Sequence, residues 1–253
     1  MYDLKGKRIL VTGSSTGIGA AVAKAYAEQG AVVAVHYNQS KDPAEIVLKE
    51  IEAAGGKGIL VGGDVSTSSE VTRIVEEAAA GLGGLDVLVN NAGALVQRVP
   101  LDEINDDIYD RVMDLNVRSV VIASQVAARH MRKAGGGSII NTSSIAARNG
   151  GGPGALLYAG AKAFVLNATR NLAKELAGAN IRVNGVSPGV ISTPFHERYS
   201  TPDILEAMRK TIPMGIIGKP EDCIGSYLFF ASNKLSGYIT GQVLEVNGGQ
   251  YMA

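Results

Sequence analysis

Apolar residues along this chain alternate between two patterns. Short continuous runs rich in Val, Ile and Leu are each followed by a longer stretch in which apolar positions recur every three or four residues. The continuous runs suit strands buried on both faces, and the longer period suits amphipathic helices. The runs predict strands over residues 8–12, 32–37, 58–62, 87–90, 138–142, 182–187 and 243–246. The periodic stretches predict helices over 17–29, 43–54, 69–82, 157–176 and 221–232, with two more sharing 105–133. Gly30 and the Gly55-Gly56 pair stand where the first two helices should stop. Strand–helix alternation of this kind points to right-handed crossovers and one parallel sheet, an α/β architecture. No Pro-rich or Ser-rich linker divides the chain, so one domain spanning 1–253 is expected. Residues 192–220 break the alternation, with Pro194, Pro202, Pro213 and Pro220 around a short helical piece at 203–210. An irregular insertion this long in a compact domain is usually functional, which predicts a substrate lid over 192–218.

Composition narrows the function classes. Apolar residues make up 46% and charged residues 19%, a globular balance. Lys+Arg and Asp+Glu both number 24, so no basic field gathers nucleic acid or an anionic membrane. No apolar run reaches membrane-spanning length, and the N-terminal segment lacks the apolar core of a signal peptide. The single cysteine, Cys223, excludes an internal disulfide and reads as a core filler. A cytoplasmic location is expected. His36, His130 and His196 are scattered without metal-ligand spacing, and His196 reads as a solvated loop residue. Arg129, Arg132 and Lys133 cluster where basic side chains complement a helix C-terminus.

Candidate chemistry sits where strands end. The first strand runs into Thr12-Gly13-Ser14-Ser15-Thr16-Gly17-Ile18-Gly19 and then a helix. Such a turn offers free backbone N–H groups and the positive end of a helix dipole to phosphate. Gly13 would permit the tight turn, Gly17 the approach of a pyrophosphate, and Gly19 close helix–strand packing, although the spacing is GxxxGxG rather than GxGxxG. Asp64-Val65 follows the third strand, where the carboxylate either accepts from an adenine amino group or caps a helix. Asn90-Asn91-Ala92-Gly93 follows the fourth, with small residues that let a flat ring pass closely. Tyr158 and Lys162 stand four apart on a predicted helix and so share a face, with Ser144 upstream. A phenol titrates near pH 10 and is a poor acid–base group at neutral pH, but a neighbouring ammonium favours its ionised form. A proton donor, a cation and a hydroxyl are what reduction of a carbonyl by a nicotinamide requires.

Read in order, TGxxxGIG, DV, NNAG, Asn116, Ser144, YxxxK, SPGxIxT and the closing GYITGQVLEVNGG cover nearly the whole chain. Together they resemble the short-chain dehydrogenase/reductase family. The resemblance implies a single Rossmann-like, doubly wound domain with a seven-stranded parallel sheet, helices on both faces, and a homotetramer. It implies Tyr158 as catalytic acid–base, Ser144 as partner of the reacting oxygen, and Lys162 as holder of the nicotinamide ribose and depressor of the phenol pKa. Asn116 would hold a water in a relay to Lys162. Ser144 rather than Ser143 aligns with the family's catalytic position. Pro188, Gly189, Ile191 and Thr193 resemble the segment that holds the nicotinamide carboxamide. The Ser-to-Tyr loop is about one residue longer than in many members and is rich in glycine.

Cofactor choice turns on the tip of the second strand. An Asp there bonds the adenosine ribose 2′-hydroxyl and repels a 2′-phosphate. Here that position falls on Tyr37, followed by Asn38, and Ser40 and Lys41 stand close by. With no acid to reject phosphate, NADP is favoured over NAD, although Thr16 replaces the basic residue many NADP-preferring relatives carry. The expected activity is NAD(P)-dependent hydride transfer between nicotinamide and a small-molecule ketone or secondary alcohol, resembling 3-oxoacyl reductases. Alternatives are a sugar or polyol dehydrogenase, a nucleotide-sugar epimerase, or a cofactor-sensing protein that retains only the fold. The lid and the loop from Ala94 to Arg98 would set the substrate.

Overall fold

A computed structural model describes residues 2–252. In chain order the first half comprises β1 (Arg8–Val11), α1 (Gly17–Glu28), β2 (Val32–Tyr37), α2 (Lys41–Ala53), β3 (Lys57–Gly62), α3 (Ser68–Leu82) and β4 (Val87–Asn90). Next come α4 (Asp106–Met113), a π turn (Asp114–Arg118), α5 (Ser119–Lys133), β5 (Gly137–Thr142), α6 (Ala146–Asn149) and α7 (Leu156–Leu176). The chain ends with β6 (Ile181–Pro188), α8 (Pro194–Tyr199), α9 (Pro202–Lys210), α10 (Pro220–Ala231), α11 (Asn233–Ser236) and β7 (Val243–Val246).

The seven strands pair in parallel in the order β3-β2-β1-β4-β5-β6-β7. Helices α1, α2 and α10 cover one face, and α3, α5 and α7 the other. This is the doubly wound, Rossmann-like arrangement expected. It explains why the strands read as continuous apolar runs. Along β1, Ile9 and Val11 enter one core while Leu10 enters the other. A strand with side chains alternating between two buried layers has no polar face. Cys223 packs into the first of these cores.

The strand order reverses between β1 and β4, so the loops leaving them diverge and open a crevice at the carboxyl edge. Pairing of Val11 with Val89 and of Asn90 with Asn141 brings the ends of β1, β4 and β5 to one level.

Besides the short helices α6 and α11 and the unexpected α8, the structure refines the predicted elements in the following places, while α9 is the short piece expected at 203–210. Helix α2 starts at Lys41, ahead of Pro43, because the first helical turn needs no N–H from proline. The 105–133 stretch is α4 and α5 joined by the π turn. The segment after Thr193 is helical twice, with Pro194 and Pro202 each at the first helical position. No helix among the described residues is long and apolar enough to cross a membrane.

Candidate active site

The turn after β1 is held by side chains that leave its amides toward the crevice. Gly13 adopts φ +63°, and its N–H donates to Nδ1 of His36 at 2.9 Å. Since Nδ1 accepts, Nε2 carries the proton and donates to the Gly63 carbonyl at 3.1 Å. Ser14 donates to the Val11 carbonyl at 2.7 Å and accepts the His36 amide at 2.9 Å. Burial pulls the His36 imidazole down to about 4, so it is neutral at physiological pH. His36 therefore straps the glycine turn to β2 and β3. No motif marked it; the sequence showed only a histidine without metal-ligand spacing.

Gly19 is fixed by contact, since a Cβ there would lie 2.3 Å from the Gly13 carbonyl oxygen. Gly17 adopts φ +58° and faces Thr193 across the crevice. The first turn of α1 has no acidic residue, and Thr16 does not cap it with its side chain. That leaves the positive helix end open to an anion.

The loop after β4 is stitched to the same turn. Asn91 donates to the Thr12 and Gly13 carbonyls, both at 3.0 Å, and Thr12 Oγ1 accepts the Asn91 and Ala92 amides at 3.0 and 3.1 Å. The Asn90 amide turns inward to Ser124 Oγ at 3.0 Å and Asn141 Oδ1 at 2.9 Å. Gly93 marks a crowded point. A Cβ there would stand 2.7 Å from Asn116 Oδ1 and 3.0 Å from Lys162 Nζ. Asn116 lies in the π turn and is fully buried. Its Nδ2 donates to the Ala94 and Val112 carbonyls at 2.9 Å, and its Oδ1 accepts the Ala94 amide at 3.2 Å.

β5 and α7 supply the titratable groups. Ser143 is buried, and its hydroxyl donates to the Lys162 carbonyl at 3.0 Å. Ser144 has no such tie. Its Oγ accepts only the Ala146 amide, at 3.2 Å, and acts on the Tyr158 hydroxyl. Lys162 donates from Nζ to the Thr142 carbonyl at 2.9 Å and lies 5.8 Å from the centre of the Tyr158 ring. Burial lowers the lysine to about 8. Burial pushes the Tyr158 phenol up to about 12; the Ser144 hydroxyl opposes the rise and Tyr199 adds slightly to it. Tyr158 is half-buried and lines the crevice. The expectation that Lys162 depresses the phenol is thus corrected. Burial is the largest influence on both groups, and Ser144 is the neighbour that lowers the phenol.

These elements enclose a cleft of about 300 Å³. Of the expected residues, Gly13, Ser15, Thr16, Gly17, Ile18, Gly19, Ala92, Gly93, Ser144, Tyr158, Lys162, Pro188, Gly189, Ile191 and Thr193 line it. Tyr37, Asn38, Asp64, Val65, Asn90 and Asn116 stand outside its walls. Tyr37 lies against Gly62, where a Cβ would come within 2.7 Å of its ring. Asp64 is exposed and accepts the Ser66 amide at 2.9 Å, while Thr67 is the N-cap of α3. Asp64 therefore does not cap α3, and Thr67 holds the N-cap position without a side-chain hydrogen bond.

Asn91, Thr142, Ser143, Pro194, Phe195 and His196 also line the cleft, outside the expected set. Phe195 on α8 packs on Tyr158 at 5.7 Å between ring centres and on Tyr199 at 4.9 Å. His196 also lines the cleft, half-buried, with Nδ1 3.1 Å from Ser200 Oγ. Burial, then the nearby Arg98 cation, lowers its pKa. Its reading as a solvated loop histidine is corrected. The helix begun by Pro194 turns it inward, and the Thr-Pro pair was the available signal.

A family model described as enoyl-(acyl carrier protein) reductase matches residues 13–250. A 3-oxoacyl-[acyl-carrier-protein] reductase of Synechocystis is 38% identical over 256 aligned residues, covering 100% of both chains. The chain belongs to the short-chain dehydrogenase/reductase family. The structure of the NADH-dependent reductase A1-R' complexed with NAD is 43% identical with a TM-score of 0.87, covering 99% of each chain. A short-chain dehydrogenase from Burkholderia cenocepacia in complex with NADP is 37% identical with a TM-score of 0.90, covering 98% of each chain. This short-chain dehydrogenase/reductase is accordingly an NAD(P)-dependent oxidoreductase acting between ketones and secondary alcohols. Its cleft fits such a cofactor. The α1 N-terminus is open to a pyrophosphate, and the glycine at 93 lets the loop after β4 lie against Asn116 and Lys162 at the cleft wall.

Proposed function

We propose that this enzyme reduces a small ketone with Tyr158 as the proton donor. The observation that carries this reading is the Ser144–Tyr158–Lys162 cluster lining the same cleft as the α1 N-terminus. A bound nicotinamide supplies or accepts the hydride. The phenol, held protonated by burial, gives its proton to the developing alkoxide, and the Ser144 hydroxyl donates to the same oxygen. Lys162 keeps one N–H on Thr142, which fixes its ammonium and leaves two donors for ribose hydroxyls and for the phenolate left after transfer. Asn116, with its Nδ2 committed to two carbonyls, positions the 94 loop beside Lys162 and can hold a relayed water only through Oδ1 or the π-turn backbone.

The whole chain serves as one catalytic unit, with 192–218 as its lid. Tyr37, Asn38, Asp64 and Val65 flank the adenosine end, and Asn90 supports the loop after β4 from beneath. The absence of an acid at Tyr37 and Asn38 supports NADP; the ion pair of Lys41 with Glu45, at 3.5 Å, engages the nearest lysine and counts the other way. The enzyme works in the cytoplasm as a homotetramer. Its substrate is an oxoacyl compound, as the Synechocystis relative's name suggests, or a sugar-derived ketone. The second reading draws on A1-R', a reductase described as responsible for alginate metabolism.

The test is Tyr158→Phe. It should lose kcat by about a thousandfold while binding cofactor normally. The same assay should give a kcat/KM for NADPH about tenfold above that for NADH. Near-normal turnover by the variant overturns the proton-donor role, and a tenfold preference for NADH overturns the cofactor choice.

A further inference from the structure

The loop from Ala94 to Val99 is pinned at both ends and strained between them. Ala94 is held by Asn116, and the Val99 amide donates to the Gly154 carbonyl at 3.0 Å. Between these anchors Val96 adopts φ +65°, a left-handed conformation that strains a β-branched residue. The Gln97 amide closes a tight turn onto the Leu95 carbonyl at 2.8 Å. What this rigid turn presents is Arg98.

The Arg98 guanidinium bridges the two walls beside Tyr158. Its Nη1 donates to the Pro153 carbonyl, in the loop leading into α7, at 2.9 Å. Its Nε donates to the Tyr199 carbonyl, at the end of α8, at 3.3 Å. Tyr199 packs on Phe195, and Phe195 on Tyr158, so the cation lies behind the aromatic wall of the cleft rather than among its lining residues. Its charge is felt at His196 on the cleft wall. Among the described residues Arg98 forms no ion pair, whereas Arg8, Arg73 and Arg209 each hold a carboxylate. The two carbonyls fix the fork but leave most of its N–H groups unused, including both on Nη2.

We infer that Arg98 receives a carboxylate of the substrate, so that the preferred ketones are oxo acids. This rests on the ketone-reductase reading above and names its substrate class. A planar guanidinium held at a fixed angle suits bidentate recognition of carboxylate. The aromatic wall of Phe195 and Tyr199 would pack the chain between the acid and the ketone.

The experiment pairs pyruvate, acetoacetate and levulinate with their methyl esters, using wild type, Arg98→Met and Arg98→Gln. The Gln variant removes the charge but keeps an N–H donor for the loop carbonyls. The wild type should prefer at least one acid over its ester, and both variants should raise KM for that acid by about tenfold or more. The KM for the ester should stay within about twofold, because it makes no charge-assisted bond. Equal losses for acid and ester, or a wild type that favours the esters, overturn the proposal and leave Arg98 a loop clamp. Binding of the same pairs, followed by calorimetry on the cofactor complex, separates this from the reaction reading. Acid binding that depends on Arg98 without turnover keeps the carboxylate site and sinks the reductase assignment. No preference for acid in binding sinks the site.

Discussion

Lys162 is the residue where function works against stability. The folded protein lowers its pKa from 10.5 to about 8 by burial. Between those values the unfolded chain binds more protons, so stability rises with pH across that window, and the full cost is present below about pH 8. At neutral pH that cost is about 3 kcal/mol, offset in part by the hydrogen bond to Thr142, worth about 1 kcal/mol. Lys162→Met removes both terms. The cofactor-free variant should melt several degrees higher than wild type at pH 7 and lose that advantage toward pH 10, while catalysis collapses. Thermal melts of both proteins at the two pH values decide it; a variant that melts lower at pH 7 shows that the lysine stabilises the fold. The pairing of Tyr158 with Lys162 was legible in the sequence because helical spacing is a local property. The direction of the Tyr158 shift was not, because burial depends on Phe195 and the lid, which arrive from far along the chain.

At the scale of elements, the glycine turn depends on β2 and β3 through one imidazole. Folding lowers His36 from 6.5 to about 4, so the unfolded chain binds the extra proton in between. Stability is present above about pH 6.5 and is lost as pH falls through about 4, to a total of about 3 kcal/mol. Protonation also removes the Nδ1 lone pair that accepts from Gly13. Wild type should therefore lose both denaturation midpoint and cofactor affinity between pH 6.5 and 4.5, and His36→Gln should lose much less of each over that range. Parallel acid profiles of the two proteins eliminate the strap. The seven strands were readable from sequence because burial on both faces makes each a continuous apolar run. The π turn at Asn116 was not, since one extra residue per turn leaves no mark on an amphipathic pattern. Helix α8 escaped the sequence for another reason: Pro194 falls in a proline-rich stretch that breaks the strand–helix alternation, although it follows a threonine and starts a helix, as Pro202 does for the expected α9. Proline's fixed φ and missing N–H suit the first turn as well as they disrupt an interior.

At the scale of the molecule, two separate apolar surfaces remain exposed. Tyr109 on α4, Val121 on α5 and Leu156 and Phe164 on α7 belong to the helical layer over one face of the sheet. Leu244 is exposed on β7, the edge strand, with Tyr238 just before it. An unpaired edge strand beside apolar side chains invites association unless it is covered. Two distinct self-complementary patches on one chain generate a closed tetramer with dihedral symmetry, whereas one patch stops at a dimer. The proposed homotetramer therefore makes a divided prediction. Introducing charge on the helical face, with Val121→Glu and Phe164→Glu, should leave dimers joined through β7, and Leu244→Glu should leave dimers joined through the helices. All three together should give monomers. Sedimentation velocity at micromolar concentration reads the three outcomes, and a monomeric wild type overturns the assembly. Activity should fall further when the helical face is broken than when β7 is. The helical face carries α7 with Tyr158 and Lys162 and adjoins the π turn that places Asn116, so its loss releases the elements on which the proton path is built.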